Sequence, residues 1–209
     1  LGSGPIHNAG VLLLNRPDTF TISGSISGTG SVVKRTAGIA VLAGNSDFTG
    51  PVQIEQGTLC LGSGGALGVP GGLVTVSPGA TLDFRGQLLP ASKVVSVSGN
   101  GVGDAGAVIN SSAGGPAVGL RSLVFTGPST IGGSQRWDIR DAPGGVQVNG
   151  HDLVKAGSNS VFWANLGETG ISNLRITGTG SRLAFEGDTT LGASPGSIVV
   201  EGGAALGFN

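Results

Sequence analysis

Apolar and polar residues alternate along the chain in short runs. The clearest are Val52-Gln53-Ile54, Leu59-Cys60-Leu61, Val74-Thr75-Val76, Leu82-Asp83-Phe84, Val95-Ser96-Val97, Val146-Gln147-Val148, Leu174-Arg175-Ile176 and Ile198-Val199-Val200, each closed by Gly, Asn, Ser or Pro. A period of two sends successive side chains to opposite faces, which is the signature of a half-buried strand. No window carries apolar residues at three- and four-residue spacing without an intervening Gly or Pro, so helices are not predicted. The alternation predicts that Val52, Ile54, Val74, Val76, Val95, Val97, Val146 and Val148 point into one continuous core.

The strands belong to a recurring unit: a V-x-V strand, a turn bearing Gly, and a second strand ending in an aliphatic or aromatic residue. It reads VQIEQGTLCLG, VTVSPGATLDF, VQVNGHDLVKAG, LRITGTGSRLAF and IVVEGGAALGF, with less regular copies near Val95 and Leu123. Successive starts fall roughly 21 to 28 residues apart, the spacing of a coil that makes one turn per repeat. One turn cannot bury its apolar face alone, but a stack can. The prediction is an all-β chain, a right-handed parallel β-helix (β-solenoid) of roughly nine turns and about 40 Å. A β-sandwich also uses short alternating strands, but it calls for charged outer faces and large core aromatics. This chain has two Trp, no Tyr and small outward residues.

Composition narrows the function. Gly supplies 42 of 209 residues, which with high charge would mean disorder; here 38% are hydrophobic and 11% charged, so a core can form. A net charge of −1 offers no basic stripe to neutralise phosphates, and nucleic acid is not an expected partner. The longest apolar stretches, Val11 to Leu14 and Ile39 to Ala43, are too short to span a bilayer as a helix. The lone Cys60 lies in an apolar run and is expected to be a free structural thiol. There is no Met and no signal-peptide pattern at Leu1, so residues 1–209 are expected to be a single solenoid segment of a larger surface or secreted protein.

The stretch Gly28 to Gly68, GTGSVVKRTAGIAVLAGNSDFTGPVQIEQGTLCLGSGGALG, resembles the passenger-associated transport repeat, or autotransporter-associated β-strand repeat. The matching positions are Gly28, Gly30, Val32, Lys34, Gly38, Val41, Leu42, Gly44, Phe48, Thr49, Gly50, Ile54, Gly57, Thr58 and Leu59; Thr36, Ala40 and Asn45 depart from the pattern. GHDLVKAGSNSVFW, from Gly150 to Trp163, echoes its apolar-x-Lys-x-Gly beginning. The resemblance implies a β-helical passenger, extracellular or on the bacterial outer cell surface, exported by folding progressively outside the cell. Turn-on-turn growth with contacts between neighbours suits that route.

Candidate chemistry is sparse. Gly101-x-Gly103-x-x-Gly106 matches a dinucleotide fingerprint as a string, but lacks the strand before it and the helix after it; it is expected to be a loop between two turns. Gly103-Asp104 is one copy of a calcium nonapeptide that needs tandem copies. His151-Asp152 has no nucleophile elbow to serve, and Asn110-Ser111-Ser112 is a formal glycosylation sequon assigned no role. Asp138 and Asp141, around Trp137 and Arg140, are the best enzymatic candidates, recalling paired carboxylates beside a stacking aromatic. The leading expectation is a non-catalytic structural or adhesive solenoid with no catalytic, cofactor or metal site, and a polysaccharide-active lyase or hydrolase is the alternative. Ligand binding is expected on an excursion from Gly99 to Gly119. The expected partners are flanking repeats or head-to-tail copies of the chain, because neither Leu1-Gly2-Ser3-Gly4 nor Ala205 to Asn209 reads as a cap. Surface glycans and host or matrix proteins are the expected adhesive ligands.

Overall fold

The computed structural model describes residues 3–112, 118–193 and 195–209. Its strands in chain order begin with β1 (Ile6–His7), β2 (Val11–Leu14), β3 (Phe20–Ile22), β4 (Ile26–Ser27), β5 (Ser31–Lys34), β6 (Ile39–Leu42) and β7 (Val52–Ile54). They continue with β8 (Gly57–Leu61), β9 (Leu73–Val76), β10 (Ala80–Asp83), β11 (Val94–Gly99), β12 (Val108–Asn110), β13 (Leu123–Gly133) and β14 (Trp137–Arg140). The last are β15 (Val146–Gln147), β16 (Leu153–Lys155), β17 (Ser160–Ala164), β18 (Leu174–Ile176), β19 (Arg182–Glu186), β20 (Ile198–Val200) and β21 (Ala205–Phe208). A short 3-10 turn, Val102–Asp104, is the one helical element among the described residues.

Each strand pairs in parallel with its equivalent one turn away, and about nine turns stack into a β-solenoid. Strands β2, β5, β7, β9, β11, the start of β13 and β15 form a first face; β3, β6, β8, β10, β12, the end of β13, β16, β18 and β20 form a second. The long β13 turns the corner between them, so the two faces are one continuous 15-stranded sheet. The third face carries β1 and β4 at one end and β14, β17, β19 and β21 at the other. Between these, backbone bonds such as Val69 N–H to the Phe48 carbonyl and Leu89 N–H to the Gly119 carbonyl continue it.

The core is built as columns. Val32, Val52, Val74, Val95, Leu123 and Val146 are successive partners on the first face, and Ile54, Val76, Val97 and Phe125 form a parallel column beside them. All eight residues expected in the core are buried. Trp137, Val161, Leu183 and Leu206 make the matching column of the third face.

One expectation changes. The interval Gly99 to Gly119 is not a single excursion, because Val108–Asn110 is β12, paired with β10 and β13. Val108 is an inward aliphatic that the coil needs at that level, and its burial outweighs the glycines around it. The loop proper is 100–107, closed by a bond from Gly106 N–H to the Asn100 carbonyl. Residues 113–117 of that interval lie outside the described residues.

At one corner glycine is a packing requirement. A Cβ on Gly50 would stand 2.2 Å from the Gly30 carbonyl oxygen, and one on Gly30 would stand 2.4 Å from that of Gly10. Gly50→Ala is therefore expected to lower stability by about 1–3 kcal/mol, as other overpacked sites do. Gly10→Ala, with nothing within 4 Å, should leave the denaturant midpoint unchanged, and equal midpoints for both variants would refute the packing argument.

Candidate functional site

The richest outward chemistry lies on the third face, on β14, β17 and β19. Alternation turns Trp137, Ile139, Val161, Trp163, Leu183 and Phe185 into the core, and so presents Asp138, Arg140, Phe162, Arg182 and Glu186 on the outside. Register then sets the rows: Asp138 beside Phe162 beside Ala184 beside Gly207, and Arg140 beside Ala164 beside Glu186. Ser160 lies beside Arg182, and Arg136 immediately precedes Trp137, the partner of Val161.

Asp138 is covered by two arginines. Arg136 donates Nε to Oδ1 at 3.0 Å and Nη2 to Oδ2 at 2.7 Å, and Arg140 donates Nε to Oδ2 at 2.8 Å. Arg140 reaches on to Glu186 with Nη1 at 2.6 Å from Oε2. The hydrogen bonds to Asp138 raise both guanidinium pKa values above their ordinary range. Three guanidinium groups surround the Phe162 ring, at 4.2 Å for Arg136, 5.1 Å for Arg182 and 5.7 Å for Arg140. The ring's negative face attracts cations, and Phe162 thereby gathers the three arginines around it.

This geometry answers the enzymatic candidates. Asp138 is buried and has both carboxylate oxygens engaged. Trp137, expected to stack on a sugar, is inside the core, with its Nε1 donating to the Gly132 carbonyl at 2.9 Å and its ring edge-on to Phe84. Asp141 sits at the corner with a φ of 52° and accepts from Asn165 Nδ2 at 2.6 Å. The coil therefore separates the three groups that sequence proximity had brought together.

The other candidates are turn and core residues. Gly101 precedes the 3-10 turn and Gly103 lies within it; Val102 N–H donates to Thr81 Oγ1 at 2.8 Å, and Asp104 has a φ of 59°. His151 N–H closes a turn on the Val148 carbonyl, and Asp152 accepts from Asn173 Nδ2 at 2.7 Å. Asn110 of the sequon is buried and donates Nδ2 to the Arg136 carbonyl at 3.0 Å, while Ser111 and Ser112 follow it into a loop. Cys60 is free and buried, its Sγ 3.8 Å from Asp83 Oδ2; burial first and the Asp83 charge second push its thiol up to about 12, which makes it a poor nucleophile. Among the described residues, no group of three or more His, Cys, Asp or Glu is placed to hold a metal.

Sequence reasoning did not foresee that all three lysines, Lys34, Lys93 and Lys155, are fully buried. Their ammonium groups rest on oxygen acceptors instead of carboxylates. Lys34 donates to the Thr36 and Gln56 carbonyls, and Lys93 to those of Leu67 and Val69. Lys155 donates to the carbonyls of Ala156 and Asn159, to Asn159 Oδ1 and to Ser181 Oγ. Desolvation lowers all three pKa values, that of Lys155 to about 7. The apolar-x-Lys pattern shared by Lys34 and Lys155, completed by Gly157 at the second, was the available signal; it marks a corner where backbone carbonyls need a buried donor. Reasoning from sequence also missed Phe162, Arg182 and Glu186, whose membership of the site depends on register alone.

Both ends of the stack present open strand edges. At one end Leu12, Leu14, Phe20 and Ile22 line an apolar hollow of about 520 Å³ together with Pro5 and Ile6. At the other, Ile198, Val199, Val200 and Phe208 are exposed, with β20 and β21 each paired on one side.

Comparison with known proteins gives two relatives. The chain is 33% identical over 216 residues to the adhesin BmaC autotransporter of Brucella suis biovar 1 (strain 1330), a match covering 91% of the chain and 6% of that protein. It is 24% identical over 217 residues to the uncharacterized protein YuaQ of Escherichia coli (strain K12), covering 94% of the chain and 15% of that protein. The chain thus spans a small fraction of either relative's length. No family model matches the chain, and no solved structure matches it. No helix among the described residues is long and apolar enough to cross a membrane.

Proposed function

We propose that the chain is a stretch of a bacterial surface-exposed or secreted passenger, a stiff β-solenoid that extends and presents an adhesive surface and does no chemistry. The observation that carries this reading is the similarity to an autotransporter adhesin over 91% of the chain, combined with a parallel coil running from end to end. The motif at Gly28 to Gly68 supports counting its turns among passenger-associated transport repeats. Residues 1–209 act as one segment of a larger protein. Strand edges over apolar side chains leave backbone donors and acceptors that water satisfies only in part. Flanking repeats, or a head-to-tail copy of the chain, cover them. The adhesive ligands are surface glycans or matrix proteins. The engagement of Asp138 and the inward turn of Trp137 favour this reading over a polysaccharide-active enzyme.

Display of the segment on a non-adherent bacterium tests the proposal. Attachment to epithelial cells or to a glycan-coated surface is expected to rise several-fold over the empty carrier. Attachment equal to that of the carrier would overturn the adhesive role. Sugar release from a polysaccharide, abolished by Asp138→Asn, would reinstate the enzyme.

A further inference from the structure

The arginine-ringed Phe162 on the third face is more than an external brace. Arg136, Arg140 and Arg182 bring three positive charges to one ring, against the two carboxylates of Asp138 and Glu186. The surplus falls on Arg182. Among the described residues its side chain has no hydrogen-bond or ion-pair partner, whereas Arg16, Arg35, Arg136, Arg140 and Arg175 all pair with carboxylates. Nη1 of Arg136 is also without a partner among the described residues, and that side chain is half exposed.

From these facts we infer that this surface is a binding site for a carboxylate, carried by an acidic polysaccharide, held between Arg182 and Arg136 across Ser160. Arg182 pairs in register with Ser160, and Arg136 lies one strand further on, so the two backbones are about 9.6 Å apart, two strand spacings. Both guanidinium groups approach the same ring, at 5.1 and 4.2 Å from its centre, that of Arg182 from the Gly207 side, and Ser160 lies between the two backbones. The planar guanidinium fork matches a carboxylate's two oxygens, and a ring beneath it restricts its orientation before the ligand arrives. The floor is low: Ala184, Ala205 and Gly207 surround Arg182, and even a Cβ on Gly207 would lie 3.1 Å from its Nη2.

Arginine clusters also hold acidic peptide motifs, but a peptide that docks by its backbone or by neighbouring side chains uses a free sheet edge or an apolar groove, and the absence of both here favours a polysaccharide. Strands β17 and β19, which carry Ser160, Phe162 and Arg182, are paired on both edges, and Phe162 is covered by its arginines. A surface of charged and small side chains suits a sugar chain that hydrogen-bonds by its substituents. This inference rests on the adhesive reading above and gives it a ligand class.

The test uses the full chain with polygalacturonate, dextran sulfate, polyglutamate and neutral dextran as immobilised probes. Retention is expected on polygalacturonate and not on neutral dextran, and it should weaken with salt because the arginines are partly open to solvent. Arg182→Gln is expected to lower affinity at least tenfold with no change in melting temperature, and Arg182→Lys to recover only part of it. Gly207→Asp keeps Arg182 but supplies an internal carboxylate, and is expected to lose binding similarly. Arg35→Gln, which breaks the exposed pair with Glu55, is expected to bind as the unaltered chain does. No retention on polygalacturonate, equal losses in Arg182→Gln and Arg35→Gln, or retention only on dextran sulfate or polyglutamate would overturn the site. Displayed segments that attach to cells equally well with and without Arg182 would refute this site and leave the adhesive role standing, whereas an unaltered segment that binds polygalacturonate but no cell would refute the adhesive role alone.

Discussion

Val76→Asp is expected to destabilise the segment by about 3–5 kcal/mol, the cost typical of a buried charge without a partner. Val76 is 1% exposed and lies between Ile54 and Val97 in a column that contributes only apolar atoms at that level. Lys34 occupies the same column beyond Ile54, but its ammonium is held on the carbonyls of Thr36 and Gln56 and does not neutralise an aspartate two turns away. Thr75→Asp, one residue away on the outer surface, is the matched control and should cost within about 0.5 kcal/mol. Urea denaturation followed by circular dichroism checks both. Equal midpoints for the two variants would mean that Val76 does not face the core.

The second large effect is one of pH. Lys155 loses its proton at about 7 in the folded chain, because burial penalises the charged form, whereas a solvated lysine keeps it to 10.5. Between those values the unfolded chain binds more protons, so stability rises as pH increases from 7 to 10.5. At about 1.4 kcal/mol per unit, the gain is on the order of 3–5 kcal/mol across the window. Lys34 and Lys93, also lowered by burial, add in the same direction. Cys60 opposes them above pH 9, because its folded pKa is raised to about 12 and its contribution is present below 9 and lost through 12. A Cys60→Ala background therefore isolates the lysines. In it, unfolding free energy is expected to climb from pH 7 to 10, with most of the slope removed by Lys155→Met. An identical slope with and without Lys155 would show that its ammonium is not the group titrating.

Period-two alternation with a Gly-bearing turn every repeat was enough to predict the β-solenoid, its number of turns and the eight core residues, because inward or outward orientation is decided by the nearest neighbours of each residue in the chain. The position of Trp137 was legible by the same rule, since the alternation that turns Asp138 and Arg140 outward turns Trp137 and Ile139 inward. What the sequence did not reveal is which outward residues meet. Arg136, Phe162 and Arg182 are brought together only by parallel register across successive turns, and small differences in turn length shift which side chains face one another. The buried lysines belong to the same category. A lysine reads as a surface residue until the corner around it is known, and only the closed coil shows that Lys155 finds four oxygen acceptors there and no route for its charge to reach water.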